Sequence, residues 1–221
     1  MKPIKEWVYN YYHMIKVKKK QFYHSRRRKK LKNNNITIIS NNCLAGILYH
    51  DFQMKFNSPT INLFFETEND YIEFLSDLDF YSTTEPVEKK DKEVNWPVGE
   101  IQNDNKVITI HFMHYNSFDE ARKKWIERGK RINKDNLYVL WLVVNYDGPS
   151  TEYYERFKRL NYKNKLLITG RGFPINDKMI VKPGFINKGI SPGQWAEHKG
   201  KNSNKRFIDE VDFVKYFNRM H

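Results

Sequence analysis

Asn41, Asn42 and the chain's single cysteine, Cys43, follow one another between an apolar run and a small-residue turn. Amide side chains both donate and accept, so such a pair can hold a hydroxyl or a phosphate. The first backbone N–H groups of a helix have no partner within it and favour an anion. A thiol at that place can have its pKa lowered and act as a nucleophile, provided a base lies close. His114 is the candidate base, because an imidazole titrates near ~6.5. Plainer readings compete: an asparagine that caps the next helix, and a cysteine that is a small buried hydrophobe.

Asp147 stands before Gly148-Pro149. It could hold a divalent metal with a diphosphate, or simply make a turn. Gly170-Arg171-Gly172 could form an anion-binding nest with a cation, or again a turn. No clear helix pattern follows it, so the dinucleotide fingerprint does not apply. His111 and His114 are three apart, which on a strand sends them to opposite faces and argues against joint metal ligation. No Walker loop, G-x-S-x-G or H-E-x-x-H motif occurs.

The elements that would position these residues alternate. Residues 36–40 read as a buried strand, 44–52 as a short helix, and 61–65 as a second strand. Thr67 with Asp70 makes a capping box for a helix that buries Tyr71, Phe74, Leu75 and Leu78. Residues 83–95 read as an exposed loop. Residues 98–101 and 107–112 are strands either side of the turn Asn103-Asp104-Asn105. Ser117 and Glu120 start the clearest helix, and the apolar run 137–144 reads as a central strand covered on both faces. A helix over 151–160 and a strand over 165–169 follow. Residues 171–204 read as mostly loop, and 207–217 as a closing helix.

This alternation predicts an α/β three-layer sandwich with a mainly parallel central sheet, Rossmann-like, plus a basic N-terminal helix. The organisation is an arm over 1–34 and one domain over 35–221. Ligands in such sheets bind beyond the carboxyl ends of the strands. That rule selects Asn41, Asn42 and Cys43 after the first strand and His114 and Tyr115 after the fourth. It selects Asp147 after the fifth and Arg171 after the sixth. Ser58 lies in the turn before the second.

The chain has 221 residues, 39% hydrophobic and 15% aromatic, enough for one well-buried core. No apolar run is long enough to span a bilayer, and no secretory signal is evident. One cysteine makes no internal disulfide and no Cys-rich metal site, which fits a reduced, cytoplasmic setting. Of the net charge of +13, residues 1–32 carry +11, from twelve Lys or Arg against Glu6 alone. The near-neutral remainder argues against a nucleic-acid-binding domain. In the arm, Ile4, Val8, Tyr11, Ile15 and Phe22 recur at helical spacing beside Trp7, Tyr9, Tyr12 and Tyr23, with cations at 18–20 and 26–30. It reads as a packed terminal helix with a solvated face, as an interfacial helix on an anionic membrane, or as a nucleic-acid arm.

The blocks ISNNCLAGILYHDF, NSPTINLFF, WPVG and HFMHYNSFDEARKKWIERGKRIN followed by DNLYVLW resemble an uncharacterised bacterial family, domain of unknown function 1919. Its members are labelled exopolysaccharide or capsule biosynthesis proteins. The resemblance covers roughly residues 35–170. By motif position it marks Ser40, Asn41, Asn42, Cys43, Ser58, Pro59, Thr60, Pro97, His114, Tyr115, Trp125, Arg128, Arg131 and Asn133. Where the family has a pair of glycines, this chain has Ala45-Gly46. The resemblance implies a role near surface-glycan assembly.

Two classes of function follow. One is a transferase on a glycan or lipid-linked glycan acceptor, using a phosphate-containing donor such as a nucleotide sugar. His114, Cys43 and Asp147 would be catalytic, with a divalent metal accompanying the donor. Asn41, Asn42, Ser58, Tyr115, Arg128, Arg131 and Arg171 would bind substrate, and the arm would hold the enzyme at the inner face of the membrane. The other is a non-catalytic binding or scaffold module of the same machinery.

Overall fold

The computed structural model describes residues 14, 17–19, 21–191, 193–200 and 203–219. In chain order its elements are α1 (21–29), β1 (Thr37–Ser40), α2 (Leu44–Asp51), β2 (Phe64–Phe65), α3 (Glu68–Ser76), α4 (Leu78–Thr83), β3 (Val87–Lys89), β4 (Val98–Asn103) and β5 (Lys106–His111). Then come α5 (Phe118–Gly129), β6 (Leu137–Leu142), α6 (Thr151–Arg159), β7 (Asn164–Ile168), β8 (Ile180–Val181) and α7 (Phe213–Phe217). The strands form two four-stranded sheets. One is wholly parallel, in the order β1-β6-β7-β8. The other is antiparallel, in the order β2-β5-β4-β3.

The parallel sheet is covered on both faces, and its central strand β6 is hydrophobic at every position. All six residues of β6 are buried. Side chains alternate between faces, so Val139 and Trp141 meet α3, α5 and α6. Tyr138, Leu140 and Leu142 meet α2, Leu31 and the C-terminal segment. The strands expected at 61–65, 98–101 and 107–112 do not join this sheet. Asp104 takes a left-handed backbone at φ 51°, closing a tight hairpin that can only pair β4 and β5 antiparallel. Only Phe64 and Phe65 of the second expected strand pair, against β5.

Local signals set the helix starts. Thr67 and Asp70 form the reciprocal capping box of α3. Ser117 accepts from the Glu120 backbone N–H, while the Glu120 carboxylate turns back to the Asn116 N–H. Two short strands lie in segments read as loop: β3 pairs with β4, and β8 with β7. The closing helix is broken in two. Residues Phe207–Glu210 make a 3-10 turn, and Asp212 caps the separate α7 by accepting from the Lys215 N–H.

Residues of the arm before 14, including Ile4, Trp7, Val8, Tyr9, Tyr11 and Tyr12, lie outside the described residues, as does Ile15. The described part of α1 is locked to the domain. Asp51, at the end of α2 and 1% exposed, pairs with Arg206, with Arg27 at 3.7 Å and with His24 at 3.5 Å. Arg27 also reaches Asp209 at 2.8 Å, so two carboxylates and two guanidiniums join α1, α2 and the 3-10 turn. Removing one partner from such a network strands a buried charge, which costs about 3–5 kcal/mol. Asp51→Asn is therefore expected to lower the unfolding free energy by roughly 3 kcal/mol in urea denaturation. A loss below about 1 kcal/mol would place this network in water.

Candidate functional site

β1 is an edge strand, and its outward N–H groups need partners. Side-chain hydroxyls supply them. Tyr49 Oη accepts from the Ile38 N–H at 2.9 Å, and Thr60 Oγ1 from the Ser40 N–H at 3.1 Å. Ser58 Oγ lies 2.9 Å from Thr60 Oγ1 and accepts from the Thr60 N–H. Ser58, Pro59 and Thr60 are thus buried clamps that run the 56–63 segment along the sheet edge. A Cβ on Gly46 would stand 2.7 Å from Asn62 Oδ1 and 3.3 Å from Ile61, so what approaches that glycine is the chain itself.

Asn41 and Asn42 are likewise engaged by the fold. The Asn41 carboxamide donates to the Leu142 carbonyl at 3.0 Å and accepts from the Leu142 N–H at 2.9 Å, continuing the β1–β6 ladder with a side chain. Asn42 Oδ1 accepts from the Leu44 N–H at 3.1 Å, at the start of α2. Ser40 Oγ accepts from the Ala45 N–H and donates to the Asn42 carbonyl.

Cys43 is half-buried, with Sγ 3.6 Å from the Leu63 carbonyl. Burial pushes its thiol up to about 11, opposite in direction to the lowering expected at a helix start. A short polar chain lies nearby. Tyr115 donates to the Ile61 carbonyl at 2.9 Å and accepts from Arg128 Nη1 at 2.6 Å. Burial raises the Tyr115 phenol, and Arg128 opposes that rise. Arg128 is only 9% exposed. Its guanidinium lies over the Phe56 ring at 5.0 Å and the Tyr115 ring at 5.9 Å, and among the described residues no carboxylate pairs with it. Arg131 donates to the Phe56 carbonyl at 3.3 Å and pairs with Glu127 at 3.9 Å.

Cys43, Ser58, Tyr115, Arg128 and Arg131 therefore border one segment, residues 56–63. Phe56 is the member that residue patterns did not single out; its one signal is an aromatic placed just before Ser58-Pro59-Thr60. On its other side opens a cleft of about 540 Å³ lined by Val17, Gln21, His24, Tyr49, Met54 and Phe56 among others. A cleft of about 400 Å³ lies elsewhere, beside Leu137 and Tyr162 at the amino ends of β6 and β7.

The remaining candidates stand apart. His114 is exposed, in the turn that carries Tyr115, with no contact to Asn42 or Asp147. It follows β5 of the antiparallel sheet, so the strand-end rule does not reach it. Asp147 and Arg171 are exposed and share the loops after β6 and β7. There a Cβ on Gly170 would stand 2.2 Å from the Tyr146 carbonyl oxygen, and one on Gly172 2.5 Å from its ring. Those glycines admit Tyr146, which accounts for them without an anion. His111, not His114, is the buried histidine: it stacks on Phe64 at 4.4 Å and accepts from Trp96 Nε1 at 3.0 Å. Its burial lowers its pKa. Among the described residues no three His, Cys, Asp or Glu gather as metal ligands.

The Cys43 environment gives a direct expectation. With the thiol near 11, iodoacetamide at pH 8 should modify native protein more than roughly a hundredfold slower than a free thiol near ~8.5. The rate should climb about tenfold per pH unit up to pH 10. A rate at pH 8 matching that of a free thiol would mark an activated nucleophile instead.

Comparison with known proteins places this geometry in a family. The family model described as a domain of unknown function (DUF1919) matches residues 14–218. An uncharacterised protein of Haemophilus influenzae strain Rd is 34% identical over 183 residues, which is 83% of this chain and 84% of that relative. The match extends through the described half of α1 and the C-terminal segment, well beyond the blocks between 35 and 170. This chain belongs to the DUF1919 family.

Proposed function

We propose that this chain is a transferase of bacterial surface-polysaccharide assembly, of exopolysaccharide or capsule, that uses a phosphate-containing activated donor such as a nucleotide sugar. The observation that carries the donor class is Arg128. A guanidinium nine-tenths buried with a phenol and two rings for company, and no carboxylate among the described residues, is a cation awaiting an anion. Isolated buried charge is costly, and a phosphate would supply what the chain does not. The polysaccharide setting is supported by the resemblance of the ordered sequence blocks alone.

In this reading Arg128 and Arg131 hold the donor phosphates, with Tyr115 orienting Arg128. A hydroxyl of the acceptor glycan attacks the donor carbon, its proton passes to His114, and the nucleoside diphosphate leaves with its charge against Arg128. We assign a lipid-linked acceptor to the cleft beside Phe56. Asp147, in the loop after β6, is the residue that would hold a donor's divalent metal, and Arg171, in the loop after β7, is a cation for the donor itself. We read the parallel sheet, packed on both faces, as a Rossmann-like central layer, the arrangement in which strand ends receive ligands.

A second reading is favoured by other observations. Asn41 and Asn42 are engaged by the fold, and Cys43 is held as a thiol. Those facts suit a non-catalytic binding module whose polar residues serve structure. One experiment separates the two. Thermal-shift screening of nucleotide sugars, acyl-CoA and sulfate donors, with and without Mg²⁺ or Mn²⁺, is expected to reveal a stabilising donor. Free donor at ~100 times its Kd adds about 2.7 kcal/mol. Arg128→Met should abolish that shift while leaving the ligand-free midpoint unchanged or higher, because it removes the desolvation cost of a buried charge that no carboxylate offsets. No shift with any donor, together with an Arg128→Met protein less stable than the wild type, would make Arg128 a structural residue and sink the transferase reading.

A further inference from the structure

Helix α1, with the helical residues 14 and 17–19 that precede it, carries two opposite faces. The inner face is fixed: His24 and Arg27 reach Asp51, Arg27 reaches Asp209, and Leu31 joins the core. Just beyond it, Arg28 donates to the Gln53 carbonyl at 2.9 Å, and Asn218 bonds the Lys30 carbonyl and the Lys32 N–H. Among the described residues nothing covers the outer face. Lys18, Lys19, Arg26, Lys29 and Lys30 are exposed on it. Among them stand apolar side chains that water would rather not meet: Phe22 is 64% exposed and Met14 43%. Lys18, Phe22, Arg26 and Lys29 are spaced by three or four residues and share one stripe. The Arg26 guanidinium lies 5.5 Å over the Phe22 ring.

We infer that this stripe is a docking surface for an anionic lipid bilayer, with Phe22 as its apolar wedge. Three observations select that occupant. The arm holds +11 of the chain's +13, so the charge is concentrated where the wedge is. Exposed apolar groups flanked by Lys and Arg match the boundary between lipid headgroups and acyl chains, where the rings sit below and the cations above. A nucleic-acid groove would use the cations but gives Phe22 and Met14 no apolar contact. Among the described residues no helix is long and apolar enough to cross a membrane, so the attachment is peripheral. The anionic cytoplasmic leaflet is the surface of matching charge. Because the inner face is pinned by buried ion pairs, docking would also orient the domain, turning the cleft beside Phe56 toward the bilayer edge.

The test is co-sedimentation of the full chain with vesicles of phosphatidylcholine, with and without phosphatidylglycerol. Sedimentation is expected only with phosphatidylglycerol, and raising salt from ~0.1 to ~0.5 M should weaken it strongly. Each near-surface cation contributes about fivefold, so replacing Lys18, Lys19, Arg26, Lys29 and Lys30 together by Gln should lower the partition coefficient on the order of 10³-fold. Phe22→Ala should weaken what remains at high salt. These positions face solvent, so the unfolding midpoint should not move. Donor-induced thermal shifts should persist in the Gln variant, which keeps this inference separable from the transferase reading. Equal binding to neutral vesicles, no binding to either kind, or a short DNA duplex that displaces the protein from phosphatidylglycerol vesicles would each overturn it.

Discussion

One carboxamide joins the two halves of this fold. The Asn41 side chain pairs in both directions with Leu142, extending the parallel ladder beyond the last residue of β1. Its backbone carbonyl accepts from the Phe65 N–H of the antiparallel sheet at 3.1 Å. The same residue therefore ends one sheet and begins the other. Tyr71 reinforces the joint from α3, donating to the Leu140 carbonyl at 2.9 Å. An asparagine is the side chain with the geometry of a peptide group. An aspartate would present a second acceptor to the Leu142 carbonyl and repel it. Everything after it depends on that joint: the direction in which residues 56–63 run, the height at which Tyr115 meets Ile61, and so the position of Arg128.

The chain treats its buried cations in two contrasting ways. Arg27 and Arg206 share two carboxylates, Asp51 and Asp209, and their charge is cancelled within the fold. Around the buried carboxylate of Glu73, the more exposed Arg156 and Lys106 link α6 and β5 to α3. Arg128 has a phenol and two ring faces. Ring quadrupoles contribute about 2 kcal/mol or more when desolvated, but they carry no net charge to cancel that of the guanidinium. A fold that neutralises the buried Arg27 and Arg206 leaves Arg128 without a carboxylate among the described residues, beside a tyrosine that itself donates to a main-chain carbonyl. The contrast within one molecule is the reason to look for the missing negative charge outside the chain.

Much of the scaffold was readable from residue order. The capping pair Thr67 and Asp70, the N-cap Ser117, the unbroken apolar run of β6 and the turn around Asp104 each act locally, so their chemistry is visible in sequence. What was not readable depends on distant partners. Strands of two or three residues, such as β3 and β8, carry too few positions to show a period, and only their neighbours make them strands. Separation of the strands into two sheets follows from the hairpin, whose antiparallel pairing the alternating pattern concealed. The asparagine pair was correctly read as sitting at a strand end, yet its partners lie one hundred residues away. Arg128 is marked in the sequence by the family resemblance and not by its helical pattern; only the fold shows that Phe56 and Tyr115 close over it.

The geometry of α1 gives the separation of charge a mechanical meaning. A basic segment on a flexible tether would bring the protein to an anionic surface in any orientation. Here α1 is fixed by a buried four-charge network at one side and by main-chain bonds from Asn218 at its end. The same α2 that presents Asp51 to that network leads directly into Gln53, Phe56 and the segment over Arg128. The cationic stripe and the buried guanidinium are therefore positioned by opposite ends of one short stretch, residues 49–61. A force that orients the stripe orients Arg128 with it, and the rigid connection between them is what a tether of the same composition would lack.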